Sequence, residues 1–315
     1  MDIEITKRDG TVFLLSKYGI KVKDVIVESI EIDDNYQDKD NAHGRLLLSS
    51  QYRKRKITVP AFFKVTKLND VSAIRDILYD LVVDTESVYL REKRRKNVQN
   101  YSFIQPTEND YQALDYYDEP IYPDNASNYE VYVSGKRYDV KCNGVISPQQ
   151  NGKTVNFTIE FETGESPFAE SIGTSLDLEK DTNKELWSYD MGIPFDKNDP
   201  SRNYTFENTN GNSVYYFGTV SNNQFNLYKK VTIILGENAK SFRWNLTHSE
   251  LMKIDGINLK RGDKIVYDGV QTYRNGVPIN NEANLSQPEF KHGWNNFEFD
   301  QVVKSVEFDM KYYYK

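Results

Sequence analysis

The stretch DVSAIRDILYDLVV, residues 70–83, is the part of this 315-residue chain with the clearest α-helical pattern. Its apolar side chains recur at spacings of three and four, along one face of a helix: Val71, Ile74, Leu78 and Leu81. Asn69 or Asp70 can cap the first turn by accepting backbone N–H groups. A single amphipathic helix needs another element to cover its apolar face, so the sequence predicts a helix packed on a sheet.

Strand-like alternation dominates on both sides of this helix. Residues 155–162 are the clearest case, with four apolar side chains on one face: Val155, Phe157, Ile159 and Phe161. Residues 46–65 are predicted as paired strands, and Val131 and Val133 alternate in the same way. The polar stretch 33–43 is predicted as a surface loop.

Two β-rich domains are predicted, because a chain of this length can bury two cores. The segment from Gly164 to Pro167 interrupts the strand pattern. We therefore expect an N-terminal domain over residues 1–168, a linker over 169–185 and a C-terminal domain over 186–315. The N-terminal domain is predicted as a β-sandwich or barrel-like structure with one helix. Short strands separated by Asn-Gly turns are typical of a β-sandwich or jelly roll in the second.

The charged residues are distributed unevenly, although the net charge of the whole chain is only −7. Basic runs occupy residues 53–56 and 93–96, whereas residues 101–130 contain many acidic residues and no Lys or Arg. Residues 97–128 also hold three prolines and are predicted as an extended arm or interdigitating loop. The charged segments either form solvated faces that can pair within one subunit, or form complementary surfaces on neighbouring subunits of a ring. Nucleic-acid binding is disfavoured because the chain is acidic.

No recognisable catalytic or metal-binding pattern is present. His43, His248 and His292 lie far apart and lack zinc-ligand spacing. The single Cys142 excludes an intrachain disulfide, and its place in an alternating strand indicates a small core residue. We therefore predict no catalytic residue, no metal and no cofactor. Without a signal-peptide pattern or a long apolar run, synthesis in a reducing cytoplasm and no membrane partner are expected.

Aromatic residues offer one further indication of function. The chain contains 23 Tyr and 3 Trp, and all three Trp lie in the second half. Aromatic rings on a sandwich face can stack on sugars, which makes Trp187 and Trp294 candidate contacts for a glycan or a partner. The alternative interpretation is that Trp residues anchor a core or a protein interface, where they occur more often.

An ordered set of segments along the whole chain resembles the distal tail proteins of siphovirus-type bacteriophages that infect Gram-positive hosts. In the first half, the set comprises the basic strand at residues 53–59, the helix at 70–83 and the strand at 155–162 leading into Glu165-Ser166-Pro167-Phe168. In the second half, it comprises residues 242–245, 262–268, 275–276 and 292–297, followed by a tyrosine-rich end.

This resemblance implies a structural virion protein at the phage tail tip or baseplate, made in the bacterial host. Such proteins form a hexameric hub ring from their N-terminal domains, and DNA passes through its lumen without specific binding. Their C-terminal domain is a galectin-like or jelly-roll sandwich. The implied partners are other copies of the chain, the tail tube protein, the tail-tip or tail-associated lysin protein, and the receptor-binding protein.

On this interpretation, the charged segments become candidate subunit contacts. These candidates are Lys93, Arg94, Arg95, Lys96, Glu108, Asp110, Asp115, Asp118 and Glu119. Two other classes of function stay open at this stage: a carbohydrate-binding module that contacts the host cell wall, and a tail-associated hydrolase, for which the sequence offers no site. The sugar-contacting pattern of galectins is not evident, because Trp294 is followed by Asn295.

Overall fold

The computed structural model describes residues 1–39, 43–93 and 134–315. It divides into two compact units, with the boundary between Ala169 and Glu170. The prediction of a mostly β protein is confirmed, because curled antiparallel sheets form the bulk of each unit and helices are few among the described residues.

The first unit is built around one antiparallel sheet. Its elements are β1 (Asp2–Thr6), β2 (Val12–Leu14), β3 (Ile20–Val22), β4 (Ile26–Val27), β5 (Ile32–Asp38), β6 (Arg45–Tyr52), β7 (Lys56–Lys64), α1 (Asp70–Val82), β8 (Val88–Lys93), β9 (Lys136–Cys142), β10 (Gln149–Asn151) and β11 (Thr154–Thr163). The strand order is β2-β1-β8-β9-β11-β7-β3, with β4 beside β7 and β10 beside β11. Strands β5 and β6 form a separate two-stranded sheet.

The core of the first unit lies on the inward faces of its strands and under α1. Strand β7 buries every second side chain, and β11 buries the four apolar residues predicted from the sequence. From α1, Leu78, Leu81 and Val82 enter the same core. The predicted helix is therefore confirmed, and its apolar face packs as expected. Cys142 packs against this core, and burial raises the pKa of its thiol.

The start of α1 differs from the capping prediction. Asn69 has helical backbone angles, φ −66° and ψ −20°, and its side chain makes no capping hydrogen bond. An N-cap side chain needs an extended backbone to reach back to the first N–H groups. The chain instead enters α1 through a backbone turn, in which the Asp70 N–H donates to the Lys67 carbonyl oxygen at 3.1 Å.

Residues 46–65 contain the two predicted strands, but the structure of residues 33–65 differs from the predictions in two respects. Residues 33–38 belong to strand β5 and not to a loop, and β6 pairs with β5 and not with β7. Strand β7 instead pairs with β11 on one side and with β3 and β4 on the other. Period-two alternation arises only where one face of a strand is buried, and both faces of β5 and β6 are exposed.

The second unit contains a larger share of aromatic core residues. A short strand, β12 (Ala169–Ser171), spans the boundary between the units. The elements that follow it are α2 (Ser175–Lys180), β13 (Thr205–Tyr216), β14 (Lys229–Leu235), β15 (Ala239–Leu246), β16 (Met252–Leu259), β17 (Lys264–Tyr267), β18 (Thr272–Arg274), β19 (Val277–Pro278), β20 (Gly293–Met310) and β21 (Tyr313–Tyr314). The segment expected to be a linker, 169–185, thus contains β12 and α2. A capping box between Thr174 and Asp177 starts α2.

Strand β20 organises the second unit. It has 18 residues and pairs with β13 along one edge, and with β15 and then β14 along the other. The sheet order is β16-β15-β20-β14-β17-β18-β19. Register shifts in the pairing with β13 and with β14 mark where β20 bends.

Gly236 lies so close to the backbone of β20 at this bend that any side chain would collide with it. A Cβ atom added there would lie 2.3 Å from the Val302 carbonyl oxygen, which is backbone and cannot rotate away. We expect Gly236→Ala to lower the free energy of unfolding by about 1–3 kcal/mol, measured by urea denaturation. Gly164→Ala is the control, because its Cβ would meet nothing nearer than 3.5 Å. Equal stability of the two variants would contradict the claim that the backbone around Gly236 leaves no room for a Cβ atom.

Lys229 gives the second unit a distinctive pH dependence. Its side chain is only 2% exposed, and its ammonium group donates to the Gln224 carbonyl oxygen at 3.0 Å. Burial lowers the pKa of Lys229 to about 8. Between this value and the ordinary lysine pKa of 10.5, the unfolded chain binds more protons than the folded one. The free energy of unfolding therefore rises with pH over this window.

We expect this rise to reach at most about 3 kcal/mol, because each pKa unit corresponds to about 1.4 kcal/mol. Urea titrations at about pH 7.5, 8.5 and 9.5 measure it, and Lys229→Met should abolish it. Above about pH 10, the raised pKa values of buried tyrosines such as Tyr204 and Tyr216 reverse the trend. If the free energy of unfolding of Lys229→Met rose with pH as steeply as that of the wild type, Lys229 would not be the cause of the rise.

Candidate functional site: an exposed β-hairpin

Among the described residues, strands β5 and β6 form a hairpin that contacts the rest of the first unit at its base. Next to the strands, the Arg53 N–H donates to the Glu31 carbonyl oxygen at 2.9 Å, and Arg53 forms an ion pair with Asp33. The Tyr52 ring meets the Phe168 ring edge-on, with 5.5 Å between centroids. Beyond this base, β5 and β6 pair only with each other among the described strands.

Apolar side chains lie on both faces of this hairpin, and every residue of the two strands is exposed. The register sets Leu47 beside Tyr36, on the face of the hairpin that also carries Ile32. Leu46 lies beside Gln37 on the opposite face, and a register shift leaves Leu48 at a bulge between them. The exposed fractions of the three leucines are 46%, 50% and 53% in chain order. We call Ile32, Tyr36, Leu46, Leu47, Leu48 and Tyr52 the hairpin apolar surface.

Such a hairpin has little stability of its own. Two strands without a third strand or a packed face are marginally stable in water. Adjacent exposed apolar side chains on a soluble protein commonly mark a binding surface. The hairpin apolar surface thus has the composition of a contact that another protein surface covers.

The basic run at residues 53–56 is largely neutralised within the first unit. Lys54 and Lys56 contact Glu162 and Glu160 of β11 at 2.9 and 3.0 Å. Hydrogen bonding to the Glu162 carboxylate raises the pKa of Lys54. Arg55 is 5% exposed and lies over the Tyr138 ring. The charges of residues 53–56 are therefore paired within one subunit, and not left free for a neighbouring one.

Among the charged residues predicted at subunit contacts, Lys93 is the one that the structure describes. It ends β8, and its ammonium group lies 2.7 Å from the Glu4 carboxylate of β1. That ion pair partly neutralises the charge of Lys93 within the first unit. The other predicted contact residues lie outside the described part of the chain: Arg94, Arg95, Lys96, Glu108, Asp110, Asp115, Asp118 and Glu119. The predicted arm at residues 97–128 and the strand at Val131 and Val133 lie outside it as well.

The two candidate tryptophans have opposite environments. Trp187 is 1% exposed and packs against Tyr312, so its ring offers no face to a glycan or a partner. Trp294 is 49% exposed on β20. Trp244, the third tryptophan, is 1% exposed and belongs to the core.

Residues 1–39, 43–93 and 134–315 show neither a metal-binding cluster nor a membrane-spanning helix. No three His, Cys, Asp or Glu side chains gather there in a way that could hold a metal ion. Within the same residues, no helix has the length and apolar character to cross a membrane.

Comparison with known families and structures gave three results. Residues 8–163 match the model of the phage tail protein RIFT-related domain. No match was found among functionally curated protein sequences. The crystal structure of the Dit (gp 19.1) protein of SPP1, described as a paradigm of the hub adsorption apparatus in phages that infect Gram-positive bacteria, has a similar fold.

The similarity to SPP1 Dit extends over both units. It covers 98% of this chain and 99% of that one, with a TM-score of 0.60 and 12% sequence identity. Two structures of the phage p2 baseplate in its activated conformation, with Sr and with Ca, align at 9% identity and a TM-score of 0.37. They cover 98% and 99% of this chain and 97% of each matched chain.

Proposed function

We propose, from the premise that residues 8–163 belong to the phage tail protein RIFT-related domain family, that this chain is a structural hub protein at the distal end of a phage tail. The family match agrees with the resemblance found in the sequence. The SPP1 Dit fold, which spans both units, supports the hub assignment within that family. The family and this structural neighbour are tail proteins, which supports a structural role over an enzymatic one.

The observation that carries the proposal is the hairpin apolar surface. A surface of this kind, on a marginally stable hairpin, is suited to be covered during assembly. In a closed ring of identical subunits, each copy covers the same surface of its neighbour, so no apolar surface is left over. We propose a hexameric ring in which the hairpin of one subunit packs on the next.

A hub ring at the end of the tail would also contact several other tail proteins. The ring joins the tail tube protein on one side to the tail-tip or tail-associated lysin protein on the other, and it holds receptor-binding proteins at its periphery. DNA crosses the lumen without sequence-specific contacts. The net charge of −7 is consistent with this, because a chain with a net negative charge offers no overall electrostatic attraction to a polyanion.

Light scattering coupled to size-exclusion chromatography tests the assembly. The chain has a mass of 36.7 kDa, so a hexamer has a mass of about 220 kDa. We expect this mass over a range of concentrations, with ring-shaped particles in negative-stain micrographs. A mass of one chain at every concentration, both alone and with the tail-tip partner added, would contradict the proposal.

A further inference from the structure

A second exposed surface lies on the second unit, on the outer side of β13, β20 and β15. Cross-strand pairing sets Tyr215 opposite Trp294 and Ser213 opposite Asn296. Asn245 of β15 lies opposite Glu298 on the other edge of β20. Along β20, Trp294, Asn296 and Glu298 are exposed, whereas the alternate residues Asn295, Phe297 and Phe299 are buried. We call this surface the β20 outer face.

One end of the β20 outer face is an aromatic platform. The Trp294 ring stands edge-on to the Tyr215 ring, with 5.2 Å between centroids and planes 85° apart. Tyr215 in turn contacts the rings of Phe217 and His292, at 4.6 and 6.0 Å. These neighbours hold the indole of Trp294 in place while about half of its surface stays open to solvent.

Next to the platform lies a groove of about 290 Å³, lined by amide, hydroxyl and carboxylate groups. Its lining residues are Asn210, Gly211, Asn245, Thr247, Asn296, Phe297 and Glu298. Gly211 lets β13 approach β20 closely at this groove, because an added Cβ would lie 2.9 Å from the Phe297 carbonyl oxygen.

Part of this polar lining is held in place and part is available for a ligand. The Ser213 hydroxyl donates to the Asn296 Oδ1 at 2.7 Å, and Thr247 bonds the Asn296 backbone. Within the described residues, the Asn245 amide, the Asn296 Nδ2 group and the Glu298 carboxylate make no hydrogen bond to the protein. These groups present donors and acceptors side by side at the edge of the aromatic platform.

We propose that the β20 outer face binds a neutral saccharide chain. The flat C–H face of a pyranose ring can stack on the exposed indole of Trp294. Its vicinal hydroxyls, each both a donor and an acceptor, match the adjacent Asn245, Asn296 and Glu298 groups. The groove lining contains a carboxylate and no cationic side chain, so it favours a neutral chain over phosphate- or uronate-rich polymers.

Binding of the full-length protein to an array of neutral oligosaccharides tests this proposal. The array should carry hexose, 6-deoxyhexose and N-acetylhexosamine chains, with glycerol-phosphate polymers as the anionic comparison. We expect retention on at least one neutral chain. Trp294→Ala and the double variant Asn245→Ala/Glu298→Gln should each weaken it by about tenfold or more. Phe225→Ala, which removes a ring that is 78% exposed elsewhere on the second unit, should leave it unchanged.

Intrinsic fluorescence gives a second readout that does not depend on immobilised ligands. Trp294 is the exposed tryptophan, so it should account for the emission that acrylamide quenches and that a bound oligosaccharide from the array protects. Trp294→Phe should remove that quenchable fraction. A blank array, equal retention by the wild type and Trp294→Ala, or retention on anionic polymers alone would overturn the proposal. The outcome does not depend on ring formation.

Discussion

Replacing Leu46 and Leu48 by aspartate should convert the assembled protein into single chains of 36.7 kDa. Both side chains belong to the hairpin apolar surface and are about half exposed in the isolated chain. The substitutions therefore leave both cores intact, while they place two charges in the contact between subunits, where no partner neutralises them. Burying an uncompensated charge costs several kcal/mol per site, which exceeds what a subunit contact can absorb. Light scattering measures the loss of the larger mass.

Val145→Asp provides the matched control for this experiment. Val145 is an apolar residue of the same unit, is 91% exposed and lies outside the hairpin. The control should assemble like the wild type, and far-ultraviolet circular dichroism should show the same fold for all three proteins. If Leu46→Asp/Leu48→Asp kept the oligomer mass, the hairpin would not be the subunit contact.

Replacing Trp187 by alanine should be among the most damaging single changes in the second unit, at about 3–5 kcal/mol in the free energy of unfolding. The indole is almost fully buried against Tyr312. It also packs so closely on Gly173 that a Cβ at that glycine would lie 2.8 Å from the ring. Removing the ring leaves a cavity that these neighbours cannot fill. Urea denaturation followed by circular dichroism measures the effect.

Two further variants separate packing from other contributions of Trp187. The indole Nε1 of Trp187 has no hydrogen-bond partner in the described part of the chain, so Trp187→Phe should cost much less than Trp187→Ala. Trp294→Ala should cost less than about 1 kcal/mol, because half of that ring is already in water. Equal losses for Trp187→Ala and Trp294→Ala would contradict the assignment of Trp187 to the core.

The elements that the sequence predicted well are those with one buried face. Helix α1 and strand β11 each set apolar side chains against the core and polar ones against water, so their periodicity is visible in the sequence. The hairpin of β5 and β6, by contrast, exposes every residue of both strands. Its strands therefore carry no alternation, and the three consecutive leucines gave no signal of register.

The surroundings of the candidate site residues depend on tertiary contacts, which the sequence alone does not show. The ion pair between Lys93 and Glu4 exists because β1 and β8 are neighbours in the sheet, although they are far apart in the chain. Trp294 could have been assigned to the outer face, because it has the opposite parity to Phe297 and Phe299 along β20. No comparable pattern surrounds Trp187, whose burial depends on how its segment folds over the aromatic core.

Amide hydrogen exchange in the hairpin, measured in the assembled and in the diluted protein, tests the central claim most directly. In a free subunit, β5 and β6 form an isolated two-stranded sheet, so their amides should exchange rapidly. In the ring, the neighbouring subunit covers the hairpin apolar surface, and peptides spanning residues 32–52 should become protected. Core peptides from β7 and β11 should stay protected in both states. Rapid exchange of the hairpin in the assembled particle would show that another surface joins the subunits.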